Sequence, residues 1–145
     1  MPYTYDYPRP AVTADCVVFA HEGGKLKVLL IERGGEPYKG CWAFPGGFMN
    51  MDETAEECAR RELQEETGLV LDSIHEVGSF TTVDRDPRGR VISVAFYTLL
   101  SSCVEVLGGD DAAVARWWPV EEVPPLAFDH QEMLRRALGK LKIEN

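Results

Sequence analysis

Residues 54–67, TAEECARRELQEET, run without glycine or proline and stop at Gly68. Good helix formers closed by a glycine predict an α-helix. Pro45-Gly46-Gly47, just upstream, predicts a tight turn whose backbone can approach a neighbour closely. At about 100° per residue, Ala55, Cys58 and Ala59 fall on one face that can pack on a sheet. Glu62, Glu65 and Glu66 continue that face, with Leu63 at its border, while Glu53, Glu56, Glu57 and Arg60 are expected to point to solvent. A helix that packs with its first half and presents carboxylates with its second belongs to a layered α/β domain.

Carboxylates at i, i+3 and i+4 on the continuation of a buried face repel one another and lose hydration. Divalent cations between them reduce that cost, and oxygen ligands select hard ions such as Mg²⁺ or Mn²⁺. Mg²⁺ commonly shares its shell with water and substrate phosphate, so this geometry suits phosphate chemistry. The competing reading is a helix end with solvated glutamates.

The flanking segments complete the domain. AVTADCVVFA (11–20) is apolar and β-rich, and KVLLIER (27–33) follows a Gly23-Gly24 turn, so the two predict a hairpin. CWAF is a short strand, LVLDSIHEVGSF (69–80) a further strand, and VISVAFYTLL (91–100) a long, central one. A last short strand is expected around Trp117-Trp118. Asp129 and Glu132 have the spacing of a capping box that opens a final helix, striped by Leu134, Leu138 and Leu141. Residues 1–10, rich in Tyr and Pro, read as an extended arm. The expectation is one domain over residues 1–145, with a mixed sheet and two main helices.

Composition narrows the function. The 145 residues carry a net charge of −9, with 45% hydrophobic residues. That supports a real core, and no basic stripe argues for nucleic-acid binding. Cys16, Cys41, Cys58 and Cys103 form no CxxC pair and no zinc-like spacing, which reads as free thiols in a reducing compartment. No secretory h-region or membrane-length apolar run is present, so a cytoplasmic protein without membrane contact is expected.

Residues 47–69 also resemble the Nudix box, G-x5-E-x7-R-E-U-x-E-E-x-G-U, where U is aliphatic. Gly47, Glu53, Arg61, Glu62, Leu63, Glu65, Glu66, Gly68 and Leu69 fill every specified position. The resemblance covers about a sixth of the chain, and the order of strands and loops around it extends it to most of the domain. It implies a Nudix-type α/β/α sandwich and Mg²⁺- or Mn²⁺-dependent attack of water on the diphosphate bridge of a nucleoside diphosphate derivative. It makes Glu62, Glu65 and Glu66 catalytic metal ligands, adds the Gly47 carbonyl, and gives Glu53 and Arg61 a bracing ion pair.

The box does not specify a substrate. DRDPRGRVISVAF and LAFDHQEML resemble segments of ADP-ribose pyrophosphatases and of the related sensor domain of NAD-metabolism repressors, and YPRPAVTAD fits the same pattern. The expected reaction is cleavage of ADP-ribose to AMP and ribose 5-phosphate. The alternatives are a sanitising pyrophosphatase for oxidised dGTP-type triphosphates and a ligand sensor without turnover. Arg85, Arg88 and Arg90 on one loop, with Arg33 at the end of the second strand, are the candidate substrate-binding cations. Local pairing of Arg85 with Asp86 in a solvated turn is the competing reading. Asp110 or Asp111 is a candidate extra base, against ordinary turn chemistry after two glycines. His130 reads more readily as a structural hydrogen-bonding group than as a general acid. Phe128, Trp117 and Trp118 are candidates to stack on adenine, with core packing the alternative, and Tyr38 and Trp42 carry the same ambiguity. A homodimer exchanging the tyrosine-rich arm is compatible with this reading.

Overall fold

The computed structural model describes residues 2–107 and 112–144. Asp110 and Asp111 lie outside them. The elements follow in the order β1 (Ala11–Glu22), β2 (Lys25–Arg33), β3 (Trp42–Ala43), β4 (Gly46–Phe48), α1 (Ala55–Thr67), β5 (His75–Phe80), β6 (Val91–Leu100), β7 (Ala112–Pro119) and α2 (His130–Glu144). A single 3-10 turn, Val120–Glu122, follows β7.

The sheet runs β3-β2-β1-β6-β5, with β4 added on β1 and β7 on β2. It is mixed: β1 is parallel to β6 and antiparallel to β2 and β4. Gly23 and Gly24 both have positive φ, and Glu22 faces Lys25, so the β1–β2 hairpin closes through a two-residue primed turn.

β1 is buried on both faces, and its alternation divides the core in two. Val17 and Phe19 pack with Val28, Leu30, Met133, Leu134 and Ala137 under α2. Ala14, Cys16 and Val18 pack with Leu29, Cys58, Ala59 and Leu63 under α1. One helix on each sheet face gives the α/β/α sandwich expected from the sequence. Both tryptophans of the 117–118 pair pack against these cores, Trp118 on the α2 side and Trp117 on the α1 side.

Three local expectations are corrected. Gly46 and Gly47 do not form a turn; they belong to β4, which pairs with Thr13–Asp15 of β1. Close approach is nevertheless what these glycines provide. A Cβ on Gly46 would overlap Asp15 and the Ala14 carbonyl, and one on Gly47 would overlap the Glu62 carboxyl group. The strand expected over 69–80 is regular only from His75, because Leu69, Leu71 and Ile74 instead turn inward onto the α1 core. The capping box lies at Thr54 and Glu57 of α1, where each side chain takes the other's backbone N–H. At α2 the Glu132 N–H bonds the Asp129 carbonyl oxygen, while the Asp129 carboxylate is held by Arg85 and that of Glu132 by Arg135 and Arg136.

Residues 2–10 contain no helix or strand and are exposed, and the Arg9 guanidinium lies 3.8 Å from the Tyr5 ring centre. All four cysteines are free thiols, and burial pushes Cys16 up to about 12. No helix among the described residues is long and apolar enough to cross a membrane.

Candidate active site

The β4–α1 junction brings the box residues together. Arg61 is its hub. Its Nε and Nη2 donate to Glu53 at 3.0 and 2.7 Å, its Nη1 to Glu62 at 2.9 Å and to Glu65 at 3.3 Å, and its Nη2 to the Phe48 carbonyl at 3.2 Å. The positive charge among the glutamates is therefore partly supplied by the chain itself. Glu53, expected to face solvent, is instead tucked against Arg61. The Arg61 hydrogen bonds hold its carboxyl down to about 2 and push the guanidinium above its ordinary value. Burial raises the Glu62 carboxyl above the ordinary range although Arg61 pulls the other way.

Glu66 accepts the Gly46 N–H at 2.8 Å, and the Gly47 carbonyl accepts the Cys58 thiol at 3.4 Å. Glu65 is exposed and pairs with Arg61. No group of three His, Cys, Asp or Glu side chains among the described residues is arranged to hold a metal. In kind the donors fit a hard cation: carboxylates of Glu62, Glu65 and Glu66, plus the carbonyl oxygen of Gly47, whose missing Cβ leaves Glu62 free to sit against the β4 backbone. Binding one would require these groups to exchange their present partners for it.

Beside this junction a pocket opens on the α2 side of the sheet. Its walls include Arg33, Arg85, Arg88, Glu66 and Phe128, and its floor Asp15 and His130. Three of the four arginines singled out from the sequence thus share one pocket with Glu66. Arg90 does not line it; its guanidinium caps the Thr82 carbonyl at 3.3 Å.

The three pocket arginines differ in how they are compensated. Arg85 is buried and held by Asp129 rather than by Asp86. Burial opposes its charge, but the Asp129 hydrogen bonds win and raise its pKa. Asp86 pairs with Arg88 at 2.8 Å. Burial alone would raise the Asp86 carboxyl, but the Arg88 hydrogen bonds bring it below its ordinary value. Arg33 forms no ion pair among the described residues; its Nε donates to the Pro37 carbonyl at 2.7 Å. Desolvation, and then the like charge of Arg88, lower its pKa. Both guanidiniums approach the Phe128 ring, Arg33 at 5.0 Å and Arg88 at 5.5 Å. Phe128 has φ of 52°, a conformation costly for a bulky residue, and Tyr38 meets its ring edge-on at 4.9 Å.

Sequence reasoning missed Asp15 and Ser93. Both are buried, and the Ser93 hydroxyl donates to Asp15. The available signal was a carboxylate inside a strand buried on both faces. His130 accepts the Phe44 N–H at its Nδ1, and burial lowers its pKa.

Comparison with known proteins agrees with this architecture. The model for the NUDIX domain matches residues 9–137. An ADP-ribose pyrophosphatase of Methanocaldococcus jannaschii is 41% identical over 129 residues, 89% of this chain and 73% of that protein. The ADPR responsive transcriptional repressor NtrR of Acinetobacter baylyi is 34% identical over 94% of this chain, which spans 56% of the repressor. Among solved structures, the NUDIX domain of Shewanella oneidensis NrtR complexed with ADP ribose superposes with a TM-score of 0.84 at 33% identity, covering 94% of each chain. A complete Nudix box at the β4–α1 junction, within this fold and with these relatives, establishes that the chain belongs to the Nudix hydrolase family.

Proposed function

We propose that the protein hydrolyses ADP-ribose to AMP and ribose 5-phosphate with Mg²⁺, Mn²⁺ being the alternative ion. The observation that carries the substrate class is the pocket beside Glu66. In a chain of net charge −9 it holds Arg33, which has no ion-pair partner among the described residues, and Arg88 around the same aromatic ring. Such a pair of cations suits a diphosphate, and Phe128 offers a face for a base or sugar. The similarity to the M. jannaschii pyrophosphatase supports ADP-ribose in particular.

Glu62, Glu65, Glu66 and the Gly47 carbonyl would hold the ion. Bound there, it would make a water more acidic and offset charge on the phosphoryl oxygens. The chain's own part is to position. The Arg61–Glu53 pair fixes the β4–α1 junction, and the Glu66 bond to Gly46 aligns the carboxylate with the pocket wall. Arg33 and Arg88 orient the diphosphate. Glu62, whose carboxyl burial raises above its ordinary range, is suited to orient or deprotonate the attacking water.

One observation favours a second reading, sensing without turnover: the match to the NUDIX domain of a repressor complexed with ADP ribose. A coupled assay decides between them. ADP-ribose and NADH are incubated with Mg²⁺ and excess phosphatase, which releases phosphate from the cleaved monophosphates but not from the intact diphosphate diesters. The triphosphates dGTP and oxidised dGTP, which phosphatase would attack itself, are incubated without it and followed by chromatography of the monophosphate. The expected result is a kcat/KM for ADP-ribose well above the others. Preferred turnover of a triphosphate overturns the substrate, and tight binding without turnover supports the sensor.

A further inference from the structure

Asp15, Ser93 and His130 come from β1, β6 and the start of α2, and meet beneath the arginine-lined pocket. Their exposures are 7%, 0% and 3%. On this side of β1 the residues further along, Val17 and Phe19, are ordinary core. A carboxylate in the same row costs free energy unless its oxygens are used.

Their hydrogen bonds fix who can donate to whom. Because His130 Nδ1 accepts the Phe44 N–H, the neutral ring carries its proton on Nε2. Nε2 faces Asp15 Oδ2 at 3.9 Å, too far for a direct hydrogen bond. Ser93 donates to the same carboxylate and holds it in place. One hydroxyl between Nε2 and Asp15 could accept from the first and donate to the second, each at ordinary length. The pocket above offers a cavity of about 90 Å³. A sugar presents such a hydroxyl at its edge, whereas a purine ring presents none. Arg33 and Arg88 at the walls would hold the diphosphate, leaving its terminal substituent directed at the floor.

We propose that Asp15 and His130, with Ser93 as a positioning residue, recognise a hydroxyl of the terminal sugar of the substrate. They thereby set specificity for sugar-linked over other diphosphate esters. This rests on the reading of the pocket as a diphosphate site.

The test compares ADP-ribose with the butyl ester of ADP. The ester keeps the adenosine and the diphosphate charge but has no terminal hydroxyl. Affinities are measured by calorimetry in EDTA, and kcat/KM with Mg²⁺. A site built around a buried hydroxyl partner discriminates strongly against the analogue lacking it, so wild-type protein is expected to prefer ADP-ribose by about 100-fold. Asp15→Asn should reduce that ratio at least about tenfold, with the butyl ester changed by less than about threefold. Ser93→Ala, which keeps the carboxylate but frees it, should reduce the ratio by a smaller factor. Equal affinity of wild-type protein for the two ligands overturns the inference and needs no variant to fold. Equal losses on both ligands in Asp15→Asn also overturn it, as does a preference unchanged in that variant. Failure of the hydrolysis reading looks different: no phosphate is released from ADP-ribose while the binding ratio persists.

Discussion

Arg85 and Asp129 meet across 44 residues of sequence, with Nε and Nη2 of the guanidinium donating to the two carboxylate oxygens at 3.0 and 2.7 Å. The contact ties the 81–90 loop to the start of α2 and builds one wall of the pocket. Removing one partner of a buried pair strands the other charge in low dielectric. Asp129→Ala is therefore expected to cost about 3 kcal/mol, read as a lowered midpoint in urea at an unchanged slope. The double variant Arg85→Met, Asp129→Leu should recover part of that loss. If Asp129→Ala unfolds at the wild-type midpoint, the pair contributes nothing to the fold.

Glu66→Gln keeps the acceptor for the Gly46 N–H but removes the negative charge. Turnover with Mg²⁺ is expected to fall about 100-fold or more, the scale of losing one well-placed electrostatic group. The thermal midpoint should stay close to wild type. Full activity in both Glu66→Gln and Glu65→Gln would rule out the glutamate site.

Arg33 and Arg90 lie at the two ends of a scale of involvement. Arg33 lines the pocket and has no ion-pair partner among the described residues, and Arg90 lies outside it. Arg33→Ala should raise KM for the diphosphate substrate by about 10- to 100-fold, matching a lost charge-assisted hydrogen bond. Arg90→Ala should stay within about twofold of wild type. Arg33→Lys should recover only part of the loss, since a lysine cannot bond Pro37 and spread over the Phe128 ring at once. Steady-state kinetics at fixed ionic strength gives all three values.

Two depressed pKa values predict loss of stability toward acid. Burial lowers His130 below 6.5, so below that pH the unfolded chain binds a proton that the folded chain resists. Arg61 holds Glu53 at about 2 against an ordinary 4.5, so over that interval the unfolded chain again binds more protons. In both cases stability is present above the unfolded-state value and is lost as pH falls through the folded one. Glu53 is partly exposed, and after solvent screening its share is about 1 kcal/mol. Denaturation at pH 7.5, 5 and 3 should show stepwise loss, and Glu53→Gln should flatten the lower step. An identical lower step in that variant would remove Glu53 as its cause.

The acidic helix shows what was readable before any coordinates. Helical periodicity assigns Ala55, Cys58 and Ala59 to a packing face bordered by Leu63, and Glu62, Glu65 and Glu66 to its continuation. Cys58, Ala59 and Leu63 are buried with Ala55 packed beside them, whereas Glu65 is exposed. Arg61 was legible only through its box position. Its simultaneous contact with Glu53, Glu62 and Glu65 depends on how β4 meets α1, and the wheel alone directed Glu53 outward. The partners of Arg85 and Arg88 were equally hidden, because neighbouring Asp86 and distant Asp129 compete for the same cations.

The sequence by itself determined the two helices, the β1–β2 hairpin, the layered architecture and the carboxylate-rich junction. Each follows from short-range periodicity, turn chemistry or a contiguous motif, and such signals lie within a few residues of one another. Only the tertiary structure decided the pocket: which carboxylates hold its arginines, and that Asp15, Ser93 and His130 converge. That convergence depends on the parallel register in which Thr13 faces Ser93, and on α2 starting above it. Register and helix docking are set by the sum of many weak packing contacts across the core, and no local stretch of sequence carries that sum.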